Sequence, residues 1–123
     1  FRTVASPSEV WYLDHADNTW DVMFNYDPST NLTSSQQALL LGGEVTMWTE
    51  HVDATNYLQW IHPRSNAVAE RLWSFAQIGK ATTDSDAFSD AVFKRLSEHR
   101  CRLVDRGIPA APLGPGFCAQ TYV

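Results

Sequence analysis

At Pro63 the spacing of apolar residues changes from short runs to a helical period, and no other feature of the chain constrains its fold as much. Before that point, Val10-Trp11-Tyr12-Leu13 stops at the polar run DHADNT, and Glu44 to Trp48 leads into Thr49 and Glu50. Both segments read as short strands. Trp20 to Ser35 has the composition of a connecting loop, Gln36 to Leu41 that of a helical turn ended by Gly42-Gly43, and His51 to Ile61 that of irregular chain or a short helix. From Pro63 to about Phe75, Val68, Leu72 and Phe75 form one apolar stripe, and Ala69, Trp73 and Ala76 form another. Two adjacent stripes predict a helix that is largely buried. A second helix, with Asp84 or Ser85 near its N-cap, sets Phe88, Val92 and Leu96 at i, i+4 and i+8, and it stops at Gly107 with Pro109 two residues on.

Strands followed by helices predict an α/β fold with a parallel sheet. Two strands cannot make a stable parallel sheet alone, because both faces need cover and further strands are needed alongside. The chain of 123 residues is therefore expected to belong to something larger and to be incomplete as a stand-alone domain, and a start at Phe1 rather than methionine fits an internal or processed piece.

Composition narrows the function. An aromatic content of 12%, with five tryptophans, favours a role that combines apolar contact with hydrogen bonding. A formal charge of −5 and the lack of any Lys/Arg stripe argue against nucleic acid as a partner. The longest uninterrupted apolar run, Ala38 to Leu41, is far short of a membrane span, and FRTVASPSEV lacks the pattern of a signal peptide. His15, His51, His62 and His99 form no i, i+4 pair, so no metal site is expected, and no nucleotide-binding or nucleophile-elbow motif is present to call for a cofactor. Cys101 and Cys118 stand 17 positions apart, either as two thiols or as a disulfide that would stabilise by roughly 3 kcal/mol. Asn31-Leu32-Thr33 is a glycosylation sequon and leans toward the secretory pathway.

Side chains alternate between the faces of a strand, so Tyr12 and Asp14 point one way, and Glu44, Thr46, Trp48 and Glu50 share a face opposite to Val45 and Met47. Tyr12, Asp14, Trp48 and Glu50 then gather at the strand ends. There an indole can cover the apolar face of a pyranose, two carboxylates can accept bonds from hydroxyls, and a phenol can donate one. The competing reading makes Trp48 a core residue and the carboxylates solvated loop ends or caps. Glu44, deeper on its strand, calls for a cation, with Arg64 or Arg71 as candidates, in a structural role.

Four segments carry a resemblance: WYLD (residues 11–14), GGEVTMWTEHVD (42–53), PRSNAVAERLWS (63–74) and RLSEHRCRLVDRGIPAAPLGPGFC (95–118). Together, and in this order, they resemble the closing third of the catalytic domain of β-N-acetylhexosaminidases. The resemblance implies that residues 1–123 are the C-terminal segment of a TIM (β/α)8 barrel, with the Tyr12 strand seventh and the Trp48 strand eighth. It implies a retaining glycoside hydrolase that releases terminal N-acetylglucosamine or N-acetylgalactosamine, the substrate's acetamido oxygen serving as nucleophile. Tyr12 would hold that oxygen, Trp48 would wall the −1 pocket, and Asp14 and Glu50 would bind the O4 and O6 side. Cys101 and Cys118 match the family's C-terminal disulfide.

The family's adjacent Asp-Glu pair, which orients the acetamido nitrogen and supplies the general acid, is missing, since no Asp-Glu dipeptide occurs here. The family's sugar-gripping arginine likewise lies on an earlier strand. This chain alone is thus expected to be inactive, its partners being N-acetylhexosamine-terminated glycans and the remainder of the barrel. A homo-dimer is a further expectation, although the loop after Asp14, which reaches the partner subunit in dimeric relatives, is short here. Relatives that accept 6-sulfated sugars carry neutral or basic residues at the position of Asp14, so an aspartate implies neutral substrates, with His15 moderating the repulsion when protonated at acidic pH. The compartment implied is lysosomal, vacuolar or extracellular. The alternatives are a non-catalytic carbohydrate-binding or interaction module, or a fragment without independent function.

Overall fold

The computed structural model describes residues 1–78, 85–116 and 118, with the side chains of residues 75–78 and 85–88 outside that description. Phe75, Ala76, Asp84 and Phe88 of the expected helices therefore lie beyond the described side chains. The elements run β1 (Thr3–Ala5), α1 (Ser8–Trp11), α2 (Trp20–Asn25), α3 (Ser34–Gln37), β2 (Leu40–Gly43), α4 (Tyr57–Ile61), α5 (Arg64–Ile78) and α6 (Ser85–Asp105).

β1 and β2 pair in parallel, with Thr3 opposite Leu40, Val4 opposite Gly42 and Ala5 opposite Gly43. Past the strands, the pairing resumes as a single parallel bridge between Tyr12 and Thr46, in which Leu13 N–H donates to Thr46 O at 2.9 Å and Thr46 N–H donates to Trp11 O at 3.1 Å. The predicted strands are thus displaced. Val10 to Leu13 is not a strand: the Pro7 carbonyl accepts from Val10 and Trp11 N–H at 3.2 and 2.8 Å and winds residues 8–11 into one helical turn. Its β-branched and aromatic residues favour a pleated, half-buried surface, and the turn overrides that preference. The predicted turn at Gln36–Leu41 begins earlier, at Ser34, where Thr33 and Gln36 form a reciprocal capping box, and Leu40 already belongs to β2. Glu44 to Trp48 keeps its alternation but, among the described residues, forms a bridge at Thr46 alone, with Glu44 N–H donating to Ala5 O at 2.9 Å.

That alternation still sorts the side chains. Val45 and Met47 pack against the fully buried cluster of Trp11, Leu13, Met23 and Val68, while Glu44 and Trp48 face outward. Trp11 anchors this core by donating its indole N–H to Met23 O at 3.0 Å. A second cluster, Phe24, Ala67, Val92 and Leu96, joins α2 and α5 to α6.

α5 buries one stripe rather than two: Ala67 and Val68 are in the core, whereas Ala69 and Trp73 are exposed, Trp73 by 83%. The α6 helix ends as its sequence indicates. Gly107 has φ 75°, a left-handed conformation that glycine adopts without steric cost, and Gly107 and Ile108 N–H donate to Val104 and Leu103 O at 2.9 Å each. The disulfide Cys101–Cys118 forms with a Cα–Cα distance of 5.3 Å and fastens the tail to α6. Arg100 adds a second tie by donating to Ala110 O and Ala111 O at 3.2 and 3.1 Å. Among the described residues no helix is long and apolar enough to cross a membrane.

The predicted partner of Glu44 is also corrected. Glu44 is exposed, Arg64 bonds main-chain carbonyls, and Arg71 pairs with Asp27 at 3.1 Å. An exposed carboxylate is solvated by water and needs no cation. Asp27 also accepts from Ser29 N–H and Oγ at 2.8 and 2.6 Å, so one carboxylate ties the loop after α2 to the buried arginine of α5.

The Ser29 hydroxyl above all, with Arg71 assisting, holds the Asp27 carboxyl below its ordinary value of 3.8. Because the folded value is the lower one, this stabilisation is present above the unfolded value and is lost as pH falls through the folded one. Asp27→Asn is therefore expected to cost about 1 kcal/mol at neutral pH, a modest figure for a partly exposed pair. The gap between the thermal melts of the two proteins should narrow as pH falls below about 3.8, and a gap that does not narrow there would assign the effect to something other than the charge.

Candidate functional site

The parallel pairing sets the ends of two neighbouring segments side by side, and the four residues singled out by alternation meet there. Tyr12, at the bridge itself, donates its hydroxyl to Glu50 Oε1 at 2.5 Å. That bond first, then partial desolvation and the Asp14 charge, raises the phenol well above its ordinary value of 10.0. A phenol so placed stays protonated and remains a donor throughout the acid and neutral range.

Two residues on, Asp14 is buried and its Oδ2 accepts from Trp48 N–H at 2.8 Å across the pair. Its Oδ1 is buried and has no hydrogen-bond partner among the described residues. Such an atom carries a desolvation cost of about 1–3 kcal/mol unless a donor reaches it. Trp48 itself is 69% exposed, so its indole is not part of the core and its face is open to contact. Glu50 is exposed, and His15 lies edge-to-face on Tyr12 with ring centroids 5.3 Å apart.

Sequence reasoning named Arg64 as a candidate cation for Glu44 and missed that it organises this end of the sheet. Arg64, first residue of α5, donates to Leu13 O at 2.7 Å, His15 O at 2.9 Å and Asn18 O at 3.4 Å. Its guanidinium lies 5.1 Å from the ring centroid of Trp60, and Trp60 stacks in turn on His51, one residue after Glu50. Burial lowers the affinity of Arg64 for its proton, and the nearby Asp14 charge opposes that shift. The only sequence signal was a cation placed where the helix dipole does not favour one.

Elsewhere, a cleft of about 520 Å³ opens between α5 and α6, lined by Asn66, Glu70, Trp73, Arg95 and His99 among others. Its polar groups are already engaged with each other: Arg95 bonds Glu70 at 2.7 Å, and Asn66 bridges His62 and His99 at 2.7 and 2.8 Å. The cleft is thus a polar seam between helices. The strand-end cluster differs from it in holding a buried acceptor, Asp14 Oδ1, that has no partner among the described residues.

A phenol donor, two carboxylates and an open indole thus stand at the ends of parallel neighbours. Comparison with known proteins gives the family. The model of the catalytic domain of glycosyl hydrolase family 20 matches residues 1–76, and the chain belongs to that family, whose membership implies a TIM-barrel-type fold. The chain is 44% identical over 117 residues to Beta-hexosaminidase 3 of Arabidopsis thaliana, covering 94% of this chain and 21% of that protein. It is 43% identical over 125 residues to Beta-hexosaminidase subunit alpha of Mus musculus, covering 99% and 22%. With Beta-hexosaminidase subunit beta of Homo sapiens the identity is 43% over 114 residues, covering 90% and 19%. The chain thus spans about a fifth of the length of these relatives.

Proposed function

We propose that this chain is the C-terminal part of the catalytic barrel of a retaining, substrate-assisted exo-β-N-acetylhexosaminidase, with Tyr12 and Trp48 at the ends of its seventh and eighth strand segments. The observation that carries the reading is the convergence of Tyr12, Asp14, Trp48 and Glu50 on the ends of one parallel pair, in a chain of family 20. In this reading the acetamido oxygen of the substrate attacks the anomeric carbon, and the leaving group takes its proton from an acid in the rest of the barrel. Tyr12 donates to the acetamido oxygen, exchanging the Glu50 contact for the substrate. Trp48 supplies one wall of the sugar pocket, and Asp14, with its unpartnered Oδ1, and Glu50 accept from hydroxyls on the O4 and O6 side.

The chain contains no Asp-Glu dipeptide, so by itself it does not cleave, and it supplies sugar-binding residues to the pocket of the intact barrel. The test is a chimaera in which these residues replace their counterpart in full-length Beta-hexosaminidase 3 of Arabidopsis thaliana. Turnover of a nitrophenyl N-acetylglucosaminide is expected, and a folded but inactive chimaera would overturn the reading. The secretory pathway, with a lysosomal, vacuolar or extracellular destination, fits the disulfide and the exposed Asn31 of the sequon.

Asp14 should also set substrate charge. A buried carboxylate close to the O6 side repels a 6-sulfate through a poorly screened interaction. Asp14→Asn in the chimaera is expected to raise the rate on a 6-sulfated substrate relative to the neutral one by about tenfold, in line with about 1.4 kcal/mol of repulsion removed. An unchanged ratio would remove Asp14 from the discrimination.

A further inference from the structure

We propose that Arg64 is a positioning residue for Asp14: by gripping the main-chain carbonyls on either side of that aspartate, it fixes where the buried carboxylate points. The proposal rests on the hexosaminidase reading for what Asp14 binds, and it assigns to Arg64 a role that no sequence motif announced.

The geometry brackets Asp14 from two directions. From one side, Trp48 N–H holds Oδ2 at 2.8 Å. From the other, Arg64 donates to the carbonyl before Asp14, Leu13 O at 2.7 Å, and to the one after it, His15 O at 2.9 Å, with Asn18 O at 3.4 Å closing the same turn. The carboxylate therefore sits between two clamps, one on each neighbouring segment of the fold, and Oδ1 is the atom left to take a further donor. A planar guanidinium can meet several carbonyls at once because its donors are fixed in a fork, and a lysine ammonium, a point charge on a flexible stem, cannot reproduce that span.

The clamp is itself braced. Arg64 lies against Trp60, which stacks on His51, so the loop after Asp14 and the loop after Glu50 lean on one aromatic plate. Asn18 donates its side-chain amide to Glu9 O at 2.8 Å and Val10 O at 3.2 Å, tying the far end of the gripped turn to α1. The three hydrogen bonds of Arg64 all run to main chain 46 to 51 positions away, and a cation on the first turn of α5 runs against the helix dipole. Its location serves the Asp14 turn rather than its own helix.

The experiment is a double-mutant cycle in the full-length chimaera, using Arg64→Lys and Asp14→Ala singly and together, with kcat and KM measured on the nitrophenyl N-acetylglucosaminide. Arg64→Lys keeps the charge and loses the fork. It is expected to lower kcat/KM about tenfold, mostly through KM, when Asp14 is present, and about twofold or less in the Asp14→Ala background, because its effect acts through that carboxylate. Equal losses in both backgrounds, or no loss in either, would overturn the assignment, since general destabilisation adds to Asp14→Ala without coupling. Should Arg64→Lys fail to fold, Arg64→Gln run through the same cycle decides by the same criterion. An inactive parent would overturn the hexosaminidase reading and this premise with it, whereas an active parent with additive effects would overturn the role of Arg64 alone.

Discussion

Tyr12→Phe is expected to lower kcat of the full-length chimaera about 100-fold, with a much smaller change in KM. In the proposed reaction the phenol donates to the acetamido oxygen as it becomes the nucleophile, so the bond matters most as charge redistributes in the transition state. Removing one preorganised donor of that kind costs about 10²–10³ in kcat. Phenylalanine keeps the ring and its edge-to-face contact with His15, so only the hydroxyl is tested. The bond to Glu50 keeps the phenol protonated, and the acid and neutral limbs of the wild-type pH profile should therefore show no titration from Tyr12. A kcat within about twofold of wild type would remove Tyr12 from the reaction, while a loss expressed wholly in KM would assign it to ground-state binding.

The largest expected effect on stability comes from a single methyl group. A Cβ on Gly43 would fall inside contact distance of Trp11 Cζ3, and would lie 3.1 Å from both Trp11 Cη2 and Ala5 O. Neither neighbour can yield easily. Trp11 is fully buried, is held by its bond to Met23 O, and packs edge-on against Tyr26 at 5.4 Å, while Ala5 belongs to the paired strand and its carbonyl accepts from Glu44 N–H. Gly43→Ala is therefore expected to cost about 3 kcal/mol, the upper part of the range for overpacking a core. Pairing it with Trp11→Phe should cost less than the sum of the two single changes, because the smaller ring vacates the space that the methyl needs. Denaturant midpoints of the four proteins check this, and strict additivity would show that the clash is relieved elsewhere.

Much of the helical half was legible in the sequence. The period of Val92 and Leu96 and the Gly107 stop place α6, and both residues lie in the core. Cys101 and Cys118 form the disulfide that the resemblance implied. The candidate site was legible through strand alternation, which survived even where the strands did not. Val45 and Met47 turn to the core, and Tyr12 meets Glu50 while Asp14 meets the main chain of Trp48. What misled was propensity: Val10 to Leu13 is composed like a strand, yet one proline carbonyl winds it into a turn, and the true first strand, Thr3–Ala5, is too short to show a pattern. Trp73 was misplaced for a related reason, because a stripe of apolar residues does not say whether a neighbour exists to cover it.

The sequence by itself determined the periodicities, the helix stop, the family and the chemical types gathered at the strand ends, since each depends on residues close together or on the pattern of the whole chain. Only the tertiary structure decided the partners of the charged groups: Arg64 on three carbonyls, Arg71 on Asp27, and Asp14 with one oxygen bonded and one left over. Those partners lie 34 to 51 positions apart along the chain. A long side chain takes whichever acceptor the packed backbone brings within about 3 Å, and that choice exists only once the helices have closed on the sheet.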